Sequence, residues 1–123
     1  TQAFEIKKQL EYHKTFETAE EVRDYVLAEA KKAGVHVAKI DFAKHESSYN
    51  PNALGDTHIT CPKTGKPIRS RGVFQITDCW YPHVTDEQAF DVEFSTKFAL
   101  DIISRSKSMC ISQWTTCARW YKI

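Results

Sequence analysis

The chain has 123 residues, of which 41% are hydrophobic and 27% charged, with a formal net charge of +1. This length fits one domain able to bury most of its apolar surface in a single core. The balanced charge leaves no electrostatic footprint for nucleic acid or an anionic membrane surface, and no apolar run is long enough to span a bilayer.

Thr1 to Leu10 contains no apolar signal core, so a secretory leader is expected to be absent or already removed. Phe4, Ile6 and Leu10 stand among charges, and residues 1–17 read as a short helix or a loosely docked arm. Residues 18–123 read as one domain. It opens with the capping box Thr18-Ala19-Glu20-Glu21, which predicts a helix start at Thr18. Val22, Tyr25, Val26, Ala30 and Ala33 then form one apolar stripe at helical spacing. Lys31 and Lys32 suit the final turn and Gly34 supplies the stop.

A second helix is predicted from about His36 to Ser48, with Val37, Ile40 and Ala43 or Phe42 turned inward. Pro51 forbids helix beyond it and biases Asn50 away from helical geometry. Glu46 falls in the last turn, where the macrodipole disfavours an anion. Such a carboxyl should be harder to ionise, as a general acid must be. Taken alone, Glu46 reads as a solvated carboxylate at a helix end.

After Pro51, β-branched residues flank a Thr64-Gly65 turn, predicting a small hairpin kept short by Pro62 and Pro67. From Arg71 to Ile76 runs a compact apolar stretch that, after Arg71 itself, holds one polar side chain, Gln75. Asp78 to Asp86 is loop-like and aromatic, with Trp80, Tyr81 and His83. Thr85 to Gln88 reads as a helix start that Asp91 interrupts. From Asp91 a stronger helix runs toward Arg105, with Phe94, Phe98, Ile102 and also Leu100 and Ile103 as core candidates. The tail beyond Met109 holds Trp114, Trp120 and Tyr121.

Four cysteines, at 61, 79, 110 and 117, are compatible with two disulfides and an extracytoplasmic home. Three pairings are possible. Cys61–Cys79 with Cys110–Cys117 is preferred because each pair brackets a short loop-rich stretch. In the loop-entropy model, a bridge of the first size contributes on the order of 3 kcal/mol. A competing reading takes His58, Cys61, Cys79 and His83 as a zinc set, but it lacks a Cys-x-x-Cys knuckle and leaves Cys110 and Cys117 unexplained.

Three polar groups stand out: Glu46, Asp56 ten residues on, and Gln75 in its apolar run. Glycoside cleavage needs a protonated carboxylic acid at the leaving oxygen and usually a second carboxylate, and Glu46 with Asp56 could form that pair. A buried glutamine must satisfy its amide, so Gln75 is expected to reach into a polar cleft. Trp80, Tyr81 and Trp114 could stack on sugar faces.

Two segments sharpen this. Glu46-Ser47-Ser48-Tyr49-Asn50-Pro51-Asn52-Ala53 resembles the E-S-x-F/Y-N-P-x-A signature of the lysozyme-like soluble lytic transglycosylases. Ser70-Arg71-Gly72-Val73-Phe74-Gln75-Ile76 is similar to their S-x-G-L-M-Q-I motif, and Phe90 to Ala99 to their third block. The resemblance covers about residues 36–120 and is related to goose-type lysozyme. It implies a mostly α, lysozyme-like α+β domain with a small β-hairpin beside an active-site cleft.

It further implies that Glu46 is the catalytic acid that protonates the bond between N-acetylmuramic acid and N-acetylglucosamine, then acts as base. By the same resemblance Ser70 is a cleft serine, Gly72 a point of close backbone approach and Gln75 a sugar contact. Phe74, in place of the family's Met, should floor the groove. Peptidoglycan strands or chitooligosaccharides are the implied partners, with no cofactor, a monomeric state and an extracytoplasmic location. Asp56 would position water in a hydrolase; as a turn residue after Gly55 it would leave Glu46 to act alone. Two departures stand: Ser95 replaces the usual Asn of the third block, and no A-Y-N-A-G motif follows, leaving Tyr121 as a candidate late tyrosine. Two further readings are a glycan-binding module without turnover and a stapled interaction domain.

Overall fold

The computed structural model describes residues 16–105. Its helices are α1 (Ala19–Lys32), α2 (Ala43–Ser47), α3 (Asp86–Phe90) and α4 (Val92–Arg105), with a 3-10 turn at Val37–Lys39. The strands β1 (Leu54–Gly55), β2 (Ser70–Arg71) and β3 (Ile76–Thr77) form an antiparallel sheet in that order. Leu54 pairs with Arg71 and Gly55 with Ser70; across the second ladder Ser70 pairs with Thr77 and Arg71 with Ile76. The architecture is the mostly helical α+β one expected. Phe16 and Glu17 are the only described part of the expected arm, and Phe16 packs edge-on against Tyr25.

Helix α1 starts where the sequence placed it. Thr18 Oγ1 accepts from the Glu21 amide at 3.1 Å, while the Glu21 carboxylate reaches one residue further back, to the Glu17 amide. Its stripe buries Val22, Val26 and Ala30, with Tyr25 at the flank; Ala33 is exposed. A full capping box belongs instead to α3, where Thr85 and Gln88 exchange both bonds.

The single helix expected over 36–48 is broken in two. Asp41 is the reason. Its carboxylate accepts from Arg23 of α1 and from the Tyr49 hydroxyl, which pins the chain between the 3-10 turn and α2. Ile40, Phe42 and Ala43 are nonetheless fully buried. Burial pushes the Asp41 carboxyl up, but the Arg23 and Tyr49 hydrogen bonds outweigh it and hold the carboxyl below its ordinary value. The Tyr49 hydroxyl is raised, by burial first and then by its bond to the Asp41 carboxylate.

Helix α4 carries its buried stripe on Val92, Ser95, Thr96, Ala99, Ile102 and Ile103, with Leu100 also buried. Phe94 and Phe98 lie on its flank instead, stacked on one another, with Tyr81 edge-on to Phe98 at 4.9 Å. Asp91 breaks the chain between α3 and α4 and accepts from the Phe94 amide, capping α4. The main core joins α1, α2, the 73–76 turn and α4. A second, small cluster holds only Cys61, Ile68 and Cys79.

Candidate active site

Glu46 sits half-buried on α2, one residue before its end. With five residues, α2 has little macrodipole, so the helix-end field invoked from the sequence is weak here. The chain then turns sharply: Ser48 and Tyr49 both adopt left-handed backbone, with φ of 55° and 57°. Two successive non-glycine residues there are strained, by about 1 kcal/mol or more each. The surroundings hold them: Ser48 N bonds Lys44 O, Asn50 N bonds Ser47 O, and the buried Tyr49 ring is anchored through its hydroxyl. Asn50 Oδ1 accepts from the Asn52 amide, an Asx turn that feeds Pro51 into β1.

The loop after α2 and the 72–75 turn are fastened together at several points. The Ser47 hydroxyl donates to Val73 O at 2.6 Å. The Gly72 amide donates to Ala53 O at 2.9 Å. The Gln75 amide group donates to Gly72 O at 2.9 Å and to Ala53 O at 3.3 Å. Gln75 itself has φ of 51°, and its Oε1 lies where a Cβ on Gly55 would be, 2.5 Å away. Its side chain thus clamps the backbone of the site, a role different from reaching into a cleft.

Ser70 is fully buried and donates to Asp56 Oδ2 at 2.5 Å. Asp56, also left-handed at φ 60°, is exposed at the end of β1. Gly72 is where backbone approaches closely, as the motif implied: a Cβ there would stand 2.2 Å from Ala89 O. The same carbonyl accepts from the Ser95 hydroxyl at 2.7 Å, so the serine that replaces the usual asparagine fully engages α3. Phe74 is a correction. It is completely buried and packs edge-on to Phe42, 5.9 Å between centroids, so it belongs to the core and floors no groove.

Sequence reasoning missed Arg71, the largest fully buried side chain among the described residues. Its guanidinium donates to Ile76 O, Val84 O and Asp86, and its Nη2 alone among the described buried side-chain atoms lacks a partner. Asp86 also takes Arg69 at 2.6 Å, and the two arginines hold its carboxyl below the usual range. A charged residue inside an apolar run was the available signal. Ser47 was quoted in the motif without a role, and its hydroxyl turns out to join the two motifs.

Cys61 and Cys79 form a disulfide with their Cα atoms 5.7 Å apart, as the preferred pairing had it. The bridge consumes both thiolates that the zinc set required. Between them the expected hairpin forms around Gly65, with Thr60 bridged to Pro67 and Cys61 N bonded to Lys66 O. Trp80 is 52% exposed beside it, with the Lys63 ammonium 4.6 Å over its ring. Tyr81 is half-buried between His83 and Phe98, a packing position. Trp114, Tyr121, Cys110 and Cys117 lie outside the described residues.

A family model described as a lysozyme-like domain matches residues 27–116, well over half of the chain. The chain belongs to that lysozyme-like family. Comparison with curated proteins and with solved structures gives no match. The matched span of the lysozyme-like domain contains all the fastenings just described, from Ser47 to Ser95. Among the described residues no helix is long and apolar enough to cross a membrane.

Proposed function

We propose that this lysozyme-like domain cleaves the β-1,4 bond between N-acetylmuramic acid and N-acetylglucosamine in peptidoglycan, outside the cytoplasm, with Glu46 as general acid and base. The observation that carries the reading is the placement of Glu46: half-buried, next to a serine bonded directly to the turn of the second motif. A carboxyl on so fixed a backbone can meet a glycosidic oxygen without reorganising. Membership of the lysozyme-like family supports the substrate class, and the Cys61–Cys79 bridge supports the location.

In this mechanism Glu46 gives its proton to the leaving O4 as the C1–O4 bond breaks. The resulting carboxylate then takes the proton of the C6 hydroxyl, whose oxygen closes on C1 to give a 1,6-anhydro sugar. This route needs one carboxylate. The bond from Ser70 to Asp56 supports it, because Asp56 already serves the β1–β2 junction. Ser70, Gly72 and Gln75 act as positioning groups for the loop after Glu46, and among the described residues Trp80 is the aromatic best exposed to stack on a sugar.

Glu46→Gln should abolish release of soluble fragments from purified peptidoglycan, by at least a thousandfold, while circular dichroism and melting stay unchanged. Full activity in that variant refutes the assignment. Product masses divide the two routes: an anhydro product is lighter by one water than a hydrolytic one, and a hydrolytic product restores Asp56 as a catalytic candidate.

A further inference from the structure

The loop between β1 and β2 concentrates positive charge that the whole-chain balance conceals. From Thr57 through Thr77 the sequence holds His58, Lys63, Lys66, Arg69 and Arg71, and no acidic residue. Arg69 and Arg71 are tied to Asp86. Lys63 and Lys66 stand exposed on either side of Gly65 at the tip of the hairpin. Acidic charge gathers elsewhere, at the start of α1, in Glu17, Glu20, Glu21 and Asp24.

The backbone that carries the two lysines is fixed. The left-handed Gly65 turns the chain, its amide donates to Cys61 O at 2.8 Å, and the Cys61 amide donates to Lys66 O at 2.8 Å. Thr64 Oγ1 accepts from the Lys66 amide. The disulfide then ties the hairpin base to Cys79, next to Trp80. Lys63 is already drawn over the Trp80 ring by a cation–π contact. Preorganised groups lose less conformational freedom on binding, which raises affinity without new contacts.

We propose that the Lys63–Lys66 tip, with Trp80 at its base, is a subsite for carboxylates carried as peptide side groups on the glycan strand. The proposal rests on the wall-cleaving reading, because it concerns what decorates that same polymer. Lysine ammoniums are compact point charges that pair with an anion without the fixed fork geometry of arginine, which suits carboxylates spaced along a flexible chain, and removal of phosphate polymers in the test separates these from phosphate. The tip offers two lysines and an indole, and its arginines are occupied. Peptide-bearing wall is therefore preferred over glycan stripped of its peptides.

The test is binding, so it does not depend on turnover. In the Glu46→Gln background, Lys63→Gln/Lys66→Gln is pelleted with insoluble peptidoglycan freed of phosphate polymers, either peptide-bearing or stripped by an amidase. The expected result is a five- to tenfold loss of affinity for the peptide-bearing form, a flattened salt dependence, and less than a twofold change on stripped glycan. Lys66→Gln alone, which leaves the Lys63–Trp80 contact intact, should give about half of that loss on a logarithmic scale. Equal losses on both polymers, no loss on either, or a loss seen only when phosphate polymers are left on the wall overturns the proposal. If Glu46→Gln stays active while binding remains lysine-dependent, the catalytic reading fails and the subsite stands. Lysine-independent binding with an inactive Glu46→Gln gives the reverse.

Discussion

Two hairpin ends in this fold each turn on a glycine of nearly the same conformation: Gly65 at φ 73° and Gly72 at φ 77°. The reasons for glycine differ. A Cβ on Gly65 would meet nothing within 4 Å, whereas one on Gly72 would strike Ala89 O at 2.2 Å. The 72–75 turn is buried in the main core, bonded to the loop after Glu46 through Gly72 N and Val73 O, and packed closely on Ala89 O of α3. The 63–66 tip rests on a three-residue cluster and one covalent bridge. One turn is held by packing, the other by a staple. Identical backbone conformations thus carry different tolerance to change, and only the surroundings reveal which is which.

The sharpest way to break this comparison is to add one methyl group to each turn. Gly72→Ala should cost more than about 3 kcal/mol, because left-handed strain adds to a clash with backbone that cannot move cheaply. Gly65→Ala should cost only the conformational part, about 1–2 kcal/mol. Urea melts of both variants decide it, and equal losses would mean that the tip is as tightly built as the turn.

Next in size is removal of the staple. Cys61→Ala/Cys79→Ala should lower stability by about 2–3 kcal/mol through loop entropy. Hydrogen exchange should quicken at the Cys61 and Ile68 amides while the Gly72 and Gln75 amides stay protected. Faster exchange at all four would show the two turns to be one cooperative unit.

The smallest effect concerns the link from the turn to α3. Hydrogen bonds from Arg69 and Arg71 hold the Asp86 carboxyl below its ordinary value. A depressed carboxylate contributes stability above its unfolded value, near 4, and that contribution is lost as pH falls through the depressed one. Asp86 is half-exposed, so solvent screening limits the pair to less than about 1 kcal/mol. Asp86→Asn should therefore lower stability at pH 7 by less than about 1 kcal/mol, and the gap to the parent should close as pH falls below about 4, as thermal melts across that range will read.

Much of this was legible in the sequence because it depends on near neighbours. Thr18 and Gly34 bracket α1 through local capping, and Asp91 separates α3 from α4 the same way. The break between the 3-10 turn and α2 was not legible, since the bonds of Asp41 to Arg23 and Tyr49 are tertiary and leave the apolar spacing unchanged. The three strands escaped notice because two residues are too few to show alternation. Phe74 and Gln75 were located correctly as motif members, but periodicity says nothing about which side of a tight turn a side chain takes. Phe94 and Phe98 do pack against the core as expected, but only partly buried, while the small polar Ser95 and Thr96 are fully buried by bonding the carbonyls of Ala89 and Val92. Arg71 drew no role because arginine is ordinarily a surface residue.

The bond between the Ser47 hydroxyl and Val73 O has an unequal footprint on the chain. At one end the group is a side chain, at the other a peptide carbonyl that every amino acid carries. Position 73 can therefore drift among residues that fill its pocket without disturbing the link, while position 47 admits little besides a hydroxyl-bearing residue of similar reach. No compensating exchange exists, because nothing placed at 73 restores a donor lost at 47. In a library randomised at both positions, survivors should be restricted at 47 and varied at 73, with no pairing between them.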